Sequence, residues 1–334
     1  MRRSLGALLG AMLLGGVMPA GPAAAQGQAP TRWVMATPYA EANYHTRNIR
    51  AFIEDIEKTT EGRIGVQLHV NASLLPLPQI KRAAQTGQVQ LGEVLLSAFG
   101  NEDPFFDVDS VPFLADNWER AGALHQATLP FIQQRFERSG LRLLYMVPWT
   151  SQAFYTRQAL TELDQLKGSR FRVFNVLTTR FAELLGATPV TVQVAEIPQA
   201  FATNVVNVMF TSAPTGVDTS AWDFARHFTD VGGMRTRNAV FVNARAFNAL
   251  SQTDQQAVLQ SAARAQVRGL DFAKQAEEEM VGRLRNRGME VATASPELLG
   301  QLRAIGARQT EEWATRAGPE GPRMLARYRE LLAR

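Results

Sequence analysis

An arginine sits where a strand should be apolar. In Arg170-Phe171-Arg172-Val173-Phe174-Asn175, Arg172 stands among Phe171, Val173 and Phe174, just after a short helical turn at Leu163–Leu166 and a glycine stop at Gly168. A guanidinium buried among apolar side chains must be paired or reach water. Its planar fork matches a carboxylate with two parallel hydrogen bonds, which a lysine cannot do. The chemistry on offer is therefore recognition of a carboxylate. The residues alone leave a plainer alternative open, a strand-end arginine that reaches solvent or pairs with a structural aspartate. Asn175, three residues on, carries an amide that suits either a ligand or a turn.

Other chemistries find little support. There is no Gly-x-Ser-x-Gly, no phosphate-binding Gly-x-x-x-x-Gly-Lys loop and no His-Glu-x-x-His. His45, His69, His125 and His227 are scattered with no i,i+4 pair, which argues against a zinc helix. An exported enzyme would need a base near a cleft, and Asp218, Asp223 and His45 are its nominal candidates. Cysteine is absent, which removes a disulfide framework, a thiol nucleophile and a Cys-based metal site. No cofactor or metal is expected. The 35 basic and 31 acidic residues nearly balance and are dispersed, so no nucleic-acid surface is expected. Glu277-Glu278-Glu279 reads as a solvated helix face.

The elements that must hold Arg172 follow an α/β rhythm. Met1-Arg2-Arg3, the apolar run from Leu5 to Met18 and Ala23-Ala24-Ala25 form a secretory signal over residues 1–25, cleaved after Ala25. No later stretch is long and apolar enough to span a bilayer, so no membrane insertion is expected after the signal is removed. Trp33–Ala36 reads as a strand, Ile49, Phe52, Ile53 and Ile56 mark one helix face, and Ile64, Val66, Leu68 and Val70 alternate as a strand. A helix from Pro78, a strand at Val89–Leu96, strands at Leu141–Met146, Phe171–Phe174 and Val205–Phe210, and a helix at Thr178–Leu185 extend the pattern, which predicts parallel sheets. Ser251-Gln252-Thr253-Asp254 offers a helix N-cap, and the helical pattern continues to Arg287, with a bend allowed at Gly269 or Gly282. Such a helix is about 50 Å long, more than one lobe needs.

These residues resemble the DctP-type substrate-binding proteins of tripartite ATP-independent periplasmic (TRAP) transporters. The resemblance covers the chain beyond the signal. It rests on Thr37-Pro38, the turn Glu61-Gly62-Arg63-Ile64, Val111-Pro112-Phe113, Leu166-Lys167-Gly168-Ser169-Arg170-Phe171-Arg172-Val173, Gly186-Ala187-Thr188-Pro189 with Glu196, and Phe247-Asn248-Ala249-Leu250. It implies an α/β fold of two lobes with an interlobe ligand cleft and a long helix spanning both. Lobe I is expected over residues 31–147 and 237–276, and lobe II over 148–236 and 277–334. The Lys-Gly-x-x-x-Arg strand is the most specific motif, and the resemblance makes Arg172 the carboxylate-binding residue and Asn175 a second ligand contact. It implies a monomeric periplasmic receptor that closes on a small organic acid and docks on TRAP membrane permease subunits. A ligand sensor passing its signal to a membrane receptor would share the fold.

Departures from the family pattern shape the expected ligand. Asn204-Val205-Val206-Asn207-Val208-Met209-Phe210-Thr211 replaces a Gly- and acid-containing run, and Thr211 falls where an asparagine often binds ligand. Ser151 or Gln152 stands where relatives carry a second arginine, and Leu95 where sialic-acid binders carry an acidic contact. Around the cleft the resemblance places Tyr39, Tyr44, Leu96, Phe99, Trp149, Phe154 and Phe210. Trp149 and Phe210 are the better ligand contacts, and Phe99 and Phe154 read as core. An unpaired second carboxylate would cost several kcal/mol to bury, although Arg235 or Arg237 could compensate from another direction. The expected order is aromatic or branched 2-oxo and hydroxy monocarboxylates first and C4-dicarboxylates second.

Overall fold

Two mixed sheets share the strands. The computed structural model describes residues 30–334, and the signal segment lies outside them. Its strands are β1 (Thr31–Ala36), β2 (Ile64–His69), β3 (Leu91–Leu95), β4 (Leu141–Pro148), β5 (Gln152–Thr156), β6 (Arg170–Val173), β7 (Thr188–Thr191), β8 (Val208–Ser212), β9 (His227–Asp230), β10 (Arg237–Asn243) and β11 (Glu290–Thr293). One sheet has the order β2-β1-β3-β10-β4, the other β11-β9-β5-β8-β6-β7.

The expectation of parallel sheets holds only in part. β1 is parallel to β2 and β3, and β6 to β7 and β8. β10 runs antiparallel between β3 and β4, and β5 antiparallel to β8 and β9. The cause is the path between sheets. The chain passes from β4 to β5, returns from β9 to β10 and passes again along Gln252–Asn286 to β11, and the first two crossing segments bond side by side. The Trp149 N–H donates to the Thr236 carbonyl at 2.7 Å, and that of Gln152 to the Met234 carbonyl at 3.2 Å. Strands joined by an antiparallel ribbon keep its direction on both sides.

Helices cover the sheets where the apolar spacing requires. Tyr44–Thr59 begins at Asn43, whose side chain accepts from the His45 N–H, and buries Ile49, Phe52, Ile53 and Ile56. Gln252–Asn286 is a single 35-residue helix capped by Ser251. It packs on Tyr44–Thr59 and β4 of the first lobe and on Ala213–Asp218 and β11 of the second. Gly269 serves close packing there: a Cβ would meet Val147 Cγ2 at 2.4 Å. Pro296–Arg316 lies against Val176–Leu184, while Glu320–Leu332 lies against Trp118–Arg138, so the C-terminal segment touches both halves.

Candidate functional site

Arg172 owes its direction to strand alternation. On β6, Phe171 and Val173 enter the core of the second lobe beside Phe154, Phe181 and Phe210, so Arg172 projects to the opposite face, towards the first lobe. It is 3 % exposed. Its Nε donates to the Val192 carbonyl at 3.0 Å, and its guanidinium carbon lies 4.7 Å from the Phe174 ring centre. Among the described residues, no carboxylate pairs with it. Burial pulls its pKa down to about 10, opposed only by the nearby Tyr39. The guanidinium therefore stays charged at neutral pH, and the cation faces a cavity between the lobes.

That cavity brings together six of the residues expected from sequence: Tyr39, Leu95, Trp149, Gln152, Arg172 and Thr211. Phe174, Val194, Ser212, Thr215 and Thr236 complete its wall. Arg172 is the one charged side chain in that lining. The space is narrow, since the centre of a water molecule can occupy only about 30 Å³ of it. Most of the wall comes from the two ends of the crossing ribbon and from the ends of β3, β6 and β8, so residues from both sheets meet there.

Behind the wall, a polar network fixes the aromatic residues. Glu93 is 1 % exposed; its carboxylate accepts from Thr37 Oγ1 at 2.5 Å and from Asn238 Nδ2 at 2.9 Å. Asn238 Oδ1 in turn accepts from Trp149 Nε1 at 2.8 Å and Tyr39 Oη at 3.3 Å. Burial pushes the Glu93 carboxyl up to about 7. Burial, and then Glu93, raise the Tyr39 hydroxyl well above its ordinary range, so it remains a neutral donor. The His45 ring lies 4.3 Å from that of Trp149, tilted by 43°, and burial holds its imidazole well below the usual histidine pKa.

The remaining expected residues lie elsewhere. Phe210 points away from the cavity and packs 4.8 Å from Phe154 and 5.3 Å from Phe181. Asn175 does not line the cavity. Its Oδ1 caps Val176–Leu184 by accepting from the Thr178 N–H at 2.7 Å, and its Nδ2 donates to Ser97 Oγ at 2.9 Å and Ser110 Oγ at 3.0 Å. Those serines belong to the first half, so Asn175 ties the lobes together beside the cleft. Arg235 pairs with Glu277 at 2.7 Å, and Arg237 donates to the Ala121 carbonyl. Neither lines the cavity.

Sequence reasoning also missed a clamp on the crossing segments. Glu277, read as solvated, accepts from the Ser151 N–H at 3.0 Å, Arg235 Nη2 at 2.7 Å and Trp118 Nε1 at 2.5 Å. It thus holds both crossing segments to the long helix. Helical spacing sets Glu277 about 100° round from Glu278, which was the available signal that the run does not share one face.

With this geometry, comparison with known proteins is decisive. Residues 35–316 match the family described as bacterial extracellular solute-binding protein, family 7, DctP. The chain belongs to that family. It is a periplasmic solute receptor of TRAP type, not an enzyme, and such receptors work with membrane permease components. The receptor is similar to the Bordetella pertussis extracytoplasmic solute receptor DctP7, described as binding pyroglutamic acid. The two are 41 % identical with a TM-score of 0.88, covering 90 % of this chain and 99 % of that one. A marine-metagenome TRAP solute-binding protein, described as specific for pyroglutamate, is 31 % identical with a TM-score of 0.88, covering 91 % and 100 %. The ectoine/5-hydroxyectoine-binding periplasmic protein UehA of Ruegeria pomeroyi is 24 % identical, with 96 % of each chain covered.

Proposed function

We propose that this receptor captures a compact organic monocarboxylate, with pyroglutamate as the favoured ligand, and delivers it to the permease. The observation that carries this reading is Arg172: a buried guanidinium with no acidic side-chain partner among the described residues, in an interlobe cavity with no second charge in its lining. One carboxylate would complete its fork, as charge-assisted bidentate pairs do. A second carboxylate would find no cation, because Arg235 and Arg237 are engaged outside the cavity. Burying it unpaired would cost several kcal/mol, which disfavours C4-dicarboxylates.

The narrow space and the hydroxyl-rich wall refine the body of the ligand. Tyr39, Leu95, Trp149 and Phe174 offer apolar faces, and Gln152, Thr211, Ser212, Thr215 and Thr236 offer donors and acceptors. A five-membered lactam presents both an apolar edge and an N–H/C=O pair, so it suits this wall better than a large aryl acid. The pyroglutamate-binding relatives, two of them at 41 % and 36 % identity, support the same choice. The lobe division expected from sequence, with a cleft that closes on ligand, belongs to this proposal. Calorimetry with pyroglutamate, succinate, phenylpyruvate and cyclopentanecarboxylate tests it. Pyroglutamate should bind tightest, and cyclopentanecarboxylate, which lacks the lactam, much more weakly. Tighter binding of succinate would overturn the reading.

A further inference from the structure

A second cavity lies on the other side of the ribbon. It forms between Trp118–Arg138, the long helix Gln252–Asn286 and the ends of β4 and β10, and water-sized centres can occupy about 210 Å³ of it. Its interior carries Arg237, 5 % exposed, whose one side-chain hydrogen bond among the described residues goes to the Ala121 carbonyl. The charge acting on Arg237 from nearby is Asp109, which burial raises to about 7 and so leaves only partly ionised. His125 also lines the space, and its buried Nδ1 has no hydrogen-bond partner. The rest of the wall includes Trp118, Met146 and Pro148, with Lys274 as a further cation and no acidic residue. At the mouth, Val267 and Leu270 are 65 % and 38 % exposed, an apolar rim at odds with their surroundings.

We propose that this cavity is a second ligand site, for an amphiphilic monoanion such as a medium-chain carboxylate, and that its occupant steadies the hinge. The carboxylate would pair with Arg237, and the hydrocarbon would cover Met146, Leu270 and Val267. The link to the hinge is Trp118. Its ring lies in the cavity wall, its indole N–H bonds Glu277, and the Arg235 guanidinium lies 4.7 Å from its centre. A ligand packed on Trp118 therefore presses on the clamp that joins both crossing segments. A ligand shifts a conformational equilibrium only by its differential affinity for the two states, and Trp118 belongs both to this wall and to the clamp.

Octanoate is the probe, titrated by calorimetry into Arg172→Met protein so that the interlobe cavity cannot supply the guanidinium. One molecule per chain is expected to bind. Gly122→Phe should block the site, because Gly122 lines it and a Cβ there meets nothing within 4 Å. Arg237→Met should weaken binding by about thirtyfold or more, as loss of a buried charge partner does, with melting curves confirming that both variants fold. In the wild-type protein, octanoate should slow hydrogen exchange at the Ser151 and Gln152 amides, whose N–H groups donate to Glu277 and to the Met234 carbonyl across the ribbon, and Gly122→Phe should abolish the slowing. No binding, or binding unaffected by Gly122→Phe and Arg237→Met, overturns the site. Binding with unchanged exchange at those amides overturns its role at the hinge.

Discussion

Replacing Arg172 by methionine separates its role in binding from its effect on the fold. The guanidinium is buried without an acidic partner among the described residues, so its removal relieves a desolvation penalty of several kcal/mol. Two losses oppose this: the Val192 carbonyl loses its donor at 3.0 Å, and the contact with Phe174 goes. An orphaned carbonyl costs about 1–3 kcal/mol, and a desolvated cation–π contact about 2 kcal/mol. The sum is near balance, so unliganded Arg172→Met should melt within a few degrees of wild type or above it. Binding has no such compensation. Losing a buried charge-assisted pair costs about 2–5 kcal/mol, or roughly thirty- to several-thousand-fold in dissociation constant. Ligand at about 100 times its dissociation constant stabilises the folded state by about 2.7 kcal/mol, a gain the variant should lose at the same concentration. Arg172→Lys should recover little, because an ammonium lacks the fork. Thermal melts with and without pyroglutamate, together with calorimetry, read both effects. Affinity within threefold of wild type in Arg172→Met would refute the assignment. A large fall in unliganded stability with affinity intact would make Arg172 a structural residue.

Ser97→Ala with Ser110→Ala removes both acceptors of Asn175 Nδ2 while leaving its cap intact, so ligand affinity should fall severalfold with little change in helix content by circular dichroism. Unchanged affinity would show that these bonds do not favour closure. Glu93→Gln should make stability less dependent on pH. The Glu93 carboxyl is raised in the fold to about 7, so its contribution is fully present below its unfolded pKa and is lost as pH rises through 7, by at most about 3 kcal/mol. Wild type should therefore lose stability relative to the variant between pH 5 and 8, and parallel profiles would contradict the assignment. Glu277→Ala leaves Arg235, 7 % exposed, without its carboxylate; denaturant unfolding should show a loss of about 3 kcal/mol, and a loss near zero would remove the clamp.

Much of the site was legible because it depends on local pattern. Arg172 in an apolar strand announced a partner-seeking charge, and the family resemblance supplied Tyr39, Leu95, Trp149, Gln152 and Thr211 around it. Phe210 and Thr211 were both assigned to the ligand although adjacent strand residues face opposite sides; alternation alone separates them, and Phe210 went to the core. Asn175 was weighed between ligand and turn, and it acts as cap and interlobe tie at once. The antiparallel placement of β10, the role of Glu277 and the neighbours of Ser97 depend on residues far apart in the chain. No local spacing encodes them. The helix Trp118–Arg138, interrupted in sequence by Gly122 and Pro130, likewise has a weak local signature, since its stability comes from what it packs against.

The position of β10 also dictates how this chain must fold. It lies between β3 and β4 in the first sheet, yet β4 ends at Pro148 and β10 begins only at Arg237, after most of the second sheet has been made. A chain emerging from its N-terminus therefore presents two unfilled sheet edges, at Leu91–Leu95 and Leu141–Pro148, with nothing to join them. Open edges of this kind recruit other strands, and pairings this distant in sequence form slowly. Residues 30–148 produced alone should aggregate instead of forming an isolated half. The first half is complete only when the second is nearly built, so no binding-competent intermediate precedes the whole receptor.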